Sequence, residues 1–103
     1  MVSVIQQHHS ELVRLCKKYG VQKLEVFGSA ASREGFNPQT SDLDFLVEYQ
    51  PLETDGYARA YFGLLEELQK LFERPVDLVM TRAIRNKYFL RGIADSRTTI
   101  YAA

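Results

Sequence analysis

Apolar residues along this chain switch between a three-to-four-residue spacing and strict alternation, and each switch marks the end of one element. In residues 3–19, Ile5, His8 or His9, Leu12, Leu15 or Cys16, and Tyr19 recur at helical steps, and Gly20 suits the C-terminal stop. Residues 22–27 read as a first strand and 43–49 as a second. In the second strand Leu43, Phe45 and Val47 line one face, and Asp44, Leu46 and Glu48 the other. After a linker from Pro51 to Gly56, residues 56–73 predict the longest helix. Its broad apolar face carries Tyr57, Tyr61, Leu64, Leu65, Leu68, Leu71 and Phe72. Residues 75–80 form a third strand, with Pro75 where a strand can begin. Residues 82–94 read as helical, and Thr98 to Tyr101 as a short edge strand.

The order of these elements predicts an α/β (α+β) fold. A full helix joins the second and third strands, which favours a parallel crossover between them. The shorter connection between the first and second strands leaves their relative direction open. With 103 residues and no repeat or low-complexity tract, the expectation is a single domain over residues 1–103.

Charge and composition narrow the function. Thirteen basic and thirteen acidic residues give a formal net charge of zero, so no global field draws in nucleic acid, and direct nucleic-acid binding is not expected. No apolar run approaches a membrane span, and the first residues lack a signal peptide's basic-then-apolar order; a cytoplasmic location is the default expectation. Cys16 is the one cysteine, excluding an internal disulfide, and its place on the helical stripe makes it a small core residue. His8 and His9 have no second His or Cys cluster to join as metal ligands, which leaves them packing or surface roles.

The candidate chemistry lies where the first strand ends in Gly28-Ser29 and the second opens with Asp42-Leu43-Asp44. Residues two apart on a strand share a face, with Cα atoms about 6.5–7 Å apart. Two carboxylates facing a Gly-Ser turn whose N–H groups can hold phosphate describe metal-assisted phosphoryl or nucleotidyl transfer. Asp42 also reads as an ordinary turn residue closing the loop. Asp44 does not, because a carboxylate inside L-D-F-L-V is desolvated without a partner; Asp77, between Val76 and Leu78, poses the same problem. A shared cation site answers both. Nucleotidyl transfer needs such a site, since charge grows on the attacking, α-phosphate and leaving oxygens, and two divalent ions about 3.5–4 Å apart stabilise all three.

The run V-F-G-S-A-A-S-R-E-G-F-N-P-Q-T-S-D-L-D-F-L-V-E resembles the minimal nucleotidyltransferases of the polymerase-β-like superfamily, whose pattern is roughly G-S-x-A-R-G, a loop, then S-D-x-D-L-x-V. The third aspartate in Pro75-Val76-Asp77-Leu78-Val79 and the tail from Arg85-Asn86-Lys87-Tyr88-Phe89 to Ile100-Tyr101 extend the resemblance over nearly all of the chain from Val21 onward. It implies a small mixed sheet with helices packed on one side. It also implies Asp42, Asp44 and Asp77 as catalytic residues and ligands of Mg²⁺ (two ions, or Mn²⁺), and Gly28 and Ser29 as the cradle for ATP. The family's Arg aligns with Ser32 and its following Gly with Arg33, so Arg33 either reaches the triphosphate from one place further on or faces solvent.

By this resemblance the chain is a protein adenylyltransferase and an antitoxin. It would transfer AMP from ATP to a tyrosine of a HEPN-domain toxin within a hetero-complex. Two other readings stand beside it: a weak or inactive module that neutralises its partner by sequestration, and a transferase acting on a small molecule of the aminoglycoside type.

Overall fold

The computed structural model describes residues 3–28, 42–53, 56–81 and 97–103. They form α1 (Ser3–Gln7), α2 (His9–Lys18), β1 (Val21–Phe27), β2 (Leu43–Tyr49), α3 (Gly56–Phe72), β3 (Val76–Met80) and β4 (Thr98–Ala102). Ser29, Ser32 and Arg33, and the helix expected over 82–94, lie outside the described residues. No described helix is long and apolar enough to cross a membrane.

The helix expected over 3–19 is two helices, parted at His8. The backbone there leaves helical geometry (φ −104°, ψ 16°). The His8 ring turns back to donate from Nδ1 to the Val4 carbonyl at 2.8 Å and meets Phe72 edge-on at 5.2 Å between centroids. His9 donates from Nε2 to the Ile100 carbonyl at 3.3 Å, tying α2 to β4. Both histidines therefore serve packing. Cys16 is fully buried, and burial pushes its thiol up to about 12, so it stays protonated and inert.

The sheet runs β3-β2-β1-β4. β2 and β3 are parallel, as the helical crossover predicts, and β1 is antiparallel to both β2 and β4. One face carries the core. Val21, Leu24, Val26, Leu43, Phe45, Val47, Val76 and Leu78 pack there with Leu12, Leu15 and Cys16 of α2 and Leu64, Leu68 and Phe72 of α3. The described long helices α2 and α3 touch each other and lie on that one side. Phe27 and Leu46 are buried too but belong to the opposite face.

Gly63 marks where α3 meets the end of α2. A Cβ there would lie 2.6 Å from Tyr19 Cε1 and 3.1 Å from its Cζ and hydroxyl. The ring is held in place, because its hydroxyl donates to Glu67, which also accepts from Lys18 Nζ at 3.1 Å. Replacing glycine by alanine inside an exposed helix normally gains up to about 1 kcal/mol. Here the sign reverses. Gly63→Ala is expected to cost about 1–3 kcal/mol in urea unfolding, the range for overpacking, and a stabilised variant would show that the two helices are not in this contact.

Candidate active site

The face opposite the helices is built by strand register. Phe27 of β1 pairs with Asp44 of β2, and Asp44 pairs with Asp77 of β3, so the three lie in one row across neighbouring strands. The Leu43 N–H donates to the Pro75 carbonyl at 3.4 Å, closing the β2–β3 pairing just before the two aspartates. Asp42 stands immediately before β2, exposed; Asp77 is exposed and Asp44 half-buried. Burial first, then the charges of Asp77 and Asp42, raise the Asp44 carboxyl above the ordinary aspartate range. The structure thus brings Asp42 and Asp77 within electrostatic reach of Asp44.

Gly28 completes the row. Its φ is +72°, a left-handed conformation that glycine adopts without penalty. A Cβ at this position would also lie 2.9 Å from Asp44 Oδ2. Backbone at the end of β1 therefore approaches the Asp44 carboxylate as closely as only glycine allows.

Glu25 shows what a strand carboxylate looks like when its role is structural. It is 6% exposed, and Arg97 donates to it from both Nη2 (2.7 Å) and Nε (3.2 Å). This bidentate geometry raises the guanidinium pKa further. Among the described residues no such cation pairs with Asp42, Asp44 or Asp77. Nor do three acidic, histidine or cysteine side chains among the described residues already close on one point as a metal's ligands do. Hard oxygen donors on one face, one of them half-buried and repelled by its neighbours, fit a divalent cation: its charge would relieve the repulsion. Sequence reasoning missed the Glu25–Arg97 pair, although a glutamate inside K-L-E-V-F gives the same desolvation signal that singled out Asp44.

A nucleotidyltransferase domain model matches residues 11–100, covering β1, β2 and β3 in full and the start of β4. The chain belongs to that family. Among its relatives is a Methanocaldococcus jannaschii protein named "Putative protein adenylyltransferase MJ0128", 35% identical over 91 residues, which are 88% of this chain and 86% of that protein. A second from the same organism, named in the same way, is 29% identical over 94 residues, covering 91% of this chain and 89% of its own length. The fold agrees with a solved structure titled "Structure of putative minimal nucleotidyltransferase", with TM-score 0.67, 25% identity, and coverage of 93% of this chain and 92% of that one. It also agrees with a chain of a solved complex titled as a tri-AMPylated Shewanella oneidensis HEPN toxin with MNT antitoxin, with TM-score 0.64, 18% identity, and coverage of 95% of this chain and 72% of that one. The small mixed sheet expected of a minimal nucleotidyltransferase is the sheet observed.

The row makes two expectations. Gly28→Ala meets both the positive φ and the Asp44 oxygen, and should cost at least about 1–2 kcal/mol, the penalty of a side chain in left-handed backbone. Wild-type stability in that variant would remove the close approach. Asp44→Asn should raise the melting temperature at neutral pH without metal. A carboxyl whose folded pKa is raised costs stability when ionised, and that cost fades as pH falls through the raised value toward the ordinary range. The gain should therefore shrink in acid; a destabilised Asn variant at neutral pH would make Asp44 a structural carboxylate.

Proposed function

We propose that this chain is a divalent-metal-dependent adenylyltransferase that moves AMP from ATP to a hydroxyl, in the first instance a tyrosine, of a HEPN-type toxin and so neutralises it. The observation that carries the reading is the Gly28–Asp44–Asp77 row, with Asp42 beside it: acidic side chains without a described cation partner, next to a glycine that lets a triphosphate approach. The relatives' names and the AMPylated toxin in the similar complex support the choice of AMP and of a protein acceptor.

The chain's residues divide the reaction between them. Gly28 admits the triphosphate to the end of β1, where Ser29 and, from one place beyond its usual position, Arg33 hold phosphate oxygens. Asp42 and Asp44 present carboxylate oxygens for Mg²⁺, shared with Asp77. When bound, the metal supplies positive charge that offsets the charge growing on the attacking, α-phosphate and leaving oxygens. Asp77 accepts the proton of the incoming hydroxyl. A bond forms between that oxygen and the α-phosphorus, the bond to the β-phosphate oxygen breaks, and pyrophosphate leaves.

Incubating a genome-neighbouring HEPN-domain protein with this chain, ATP and Mg²⁺ should add about 329 Da per AMP, at specific sites, by intact-mass spectrometry. The Asp42→Asn/Asp44→Asn variant should bind that protein, add no mass and fail to relieve toxicity on co-expression. Mg²⁺ with ATP should raise the wild-type melting temperature and leave this variant's unchanged. Full neutralisation by the variant, with no mass added even by wild type, would overturn the transferase reading in favour of sequestration, which the Ser32 departure would then explain.

A further inference from the structure

On the far side of Asp77 from Gly28 lies an open groove of about 530 Å³. Its floor is four consecutive residues of β3, Asp77, Leu78, Val79 and Met80, and its wall is the first turns of α3, with Tyr57 and Tyr61. Residues from both faces of β3 line it, so it follows the strand's edge rather than one face. In the described sheet β3 has β2 on one side and is terminal on the other. The Tyr61 hydroxyl donates to the Leu78 carbonyl at 2.5 Å, holding the wall against the strand. Beside Tyr61, its ring edge-on to the Tyr61 ring at 5.2 Å, stands Phe62, 65% exposed. A neutral chain with an acidic site thus has an aromatic, apolar approach ending at one of its carboxylates.

The order of the row decides what the groove takes. Gly28 flanks Asp44 on the β1 side and Asp77 flanks it on the β3 side. A triphosphate cradled at Gly28 sends its pyrophosphate away toward β1. In-line displacement then requires the attacking oxygen to arrive from the opposite side, past Asp77. The groove opens there. Four residues of strand span about 13 Å, the reach of about four extended residues, and a cleft of this volume holds a few side chains.

We propose that this groove seats an extended segment of the acceptor protein, in which apolar side chains next to the acceptor hydroxyl pack on Tyr57, Tyr61 and Met80 and deliver that hydroxyl to Asp77. The inference rests on the adenylyl-transfer reading above and adds to it the surface and the sequence chemistry by which the acceptor is chosen.

Ala58 projects into the groove from an exposed position on α3, so Ala58→Arg fills it while keeping a good helix former. An unchanged melting temperature would verify the fold. Calorimetric affinity for ATP with Mg²⁺ should stay within twofold of wild type. The KM for a genome-neighbouring HEPN-domain protein should rise at least tenfold with kcat held, and Ala58→Ser should behave as wild type. An unaltered KM would overturn the proposal, and so would a tenfold loss of ATP affinity, which would give the groove to the nucleotide base. Should wild type transfer no AMP at all, the transferase reading falls by itself. The groove is then decided by calorimetric binding of the same HEPN-domain protein: weakened by Ala58→Arg it stands as the docking surface, and unweakened it does not.

Discussion

Leu43, Phe45 and Val47 are buried facing α2 and α3, and the two-residue period of a strand then sends Asp44 to the opposite face. The same holds one strand over, where burying Val76 and Leu78 sends Asp77 outward. The helical crossover makes β2 and β3 parallel, and their register sets the two outward aspartates side by side. A slip of one residue would put both carboxylates into the core and take five apolar side chains out of it. The hydrophobic effect, acting on residues that never touch a nucleotide, is what aligns the acidic row.

The row itself is held against its own electrostatics. Glu25, two residues before Phe27 on the same face, is neutralised by a two-bonded arginine; Asp44, in the next strand, is half-buried and repelled by both other aspartates. The protein thus satisfies one strand carboxylate internally and leaves another waiting. An acidic row left under-neutralised would gain from any cationic charge that reaches it, and the core beneath supplies the stability that the repulsion costs.

Much of this could be read from the chain because the signals are local. The strand boundaries, the long helix, the parallel β2–β3 pair and the shared face of Asp44 and Asp77 all follow from alternation and connection length. Four features do not. The break at His8 arises from a ring that bonds back to Val4 and packs on Phe72, a tertiary contact with no helix-breaking residue to announce it. The antiparallel β1–β2 pairing follows a connection whose length permits either direction. Glu25 carried a readable warning, but its partner lies 72 residues away and no spacing rule connects them. Gly28 was legible as a turn glycine, whereas its contact with Asp44 exists only once the register between strands is fixed.

The Glu25–Arg97 pair has a bearing on how the molecule assembles. β1 is an interior strand of the sheet, but its neighbour β4 is supplied by residues 98–102, so their pairing closes a loop of some seventy residues and comes at a high entropic cost. Until that happens, Glu25 sits in a forming sheet as a carboxylate without its guanidinium. Hydrophobic collapse of β1, β2, β3 and the helices alone would therefore bury a carboxylate with Lys23 Nζ, 3.9 Å away and partly exposed, as its described counter-charge, two residues from the Phe27–Asp44–Asp77 row. Arg97 adds the close, two-bonded partner, so the β1–β4 pairing contributes to the stable burial of Glu25 beside the acidic row.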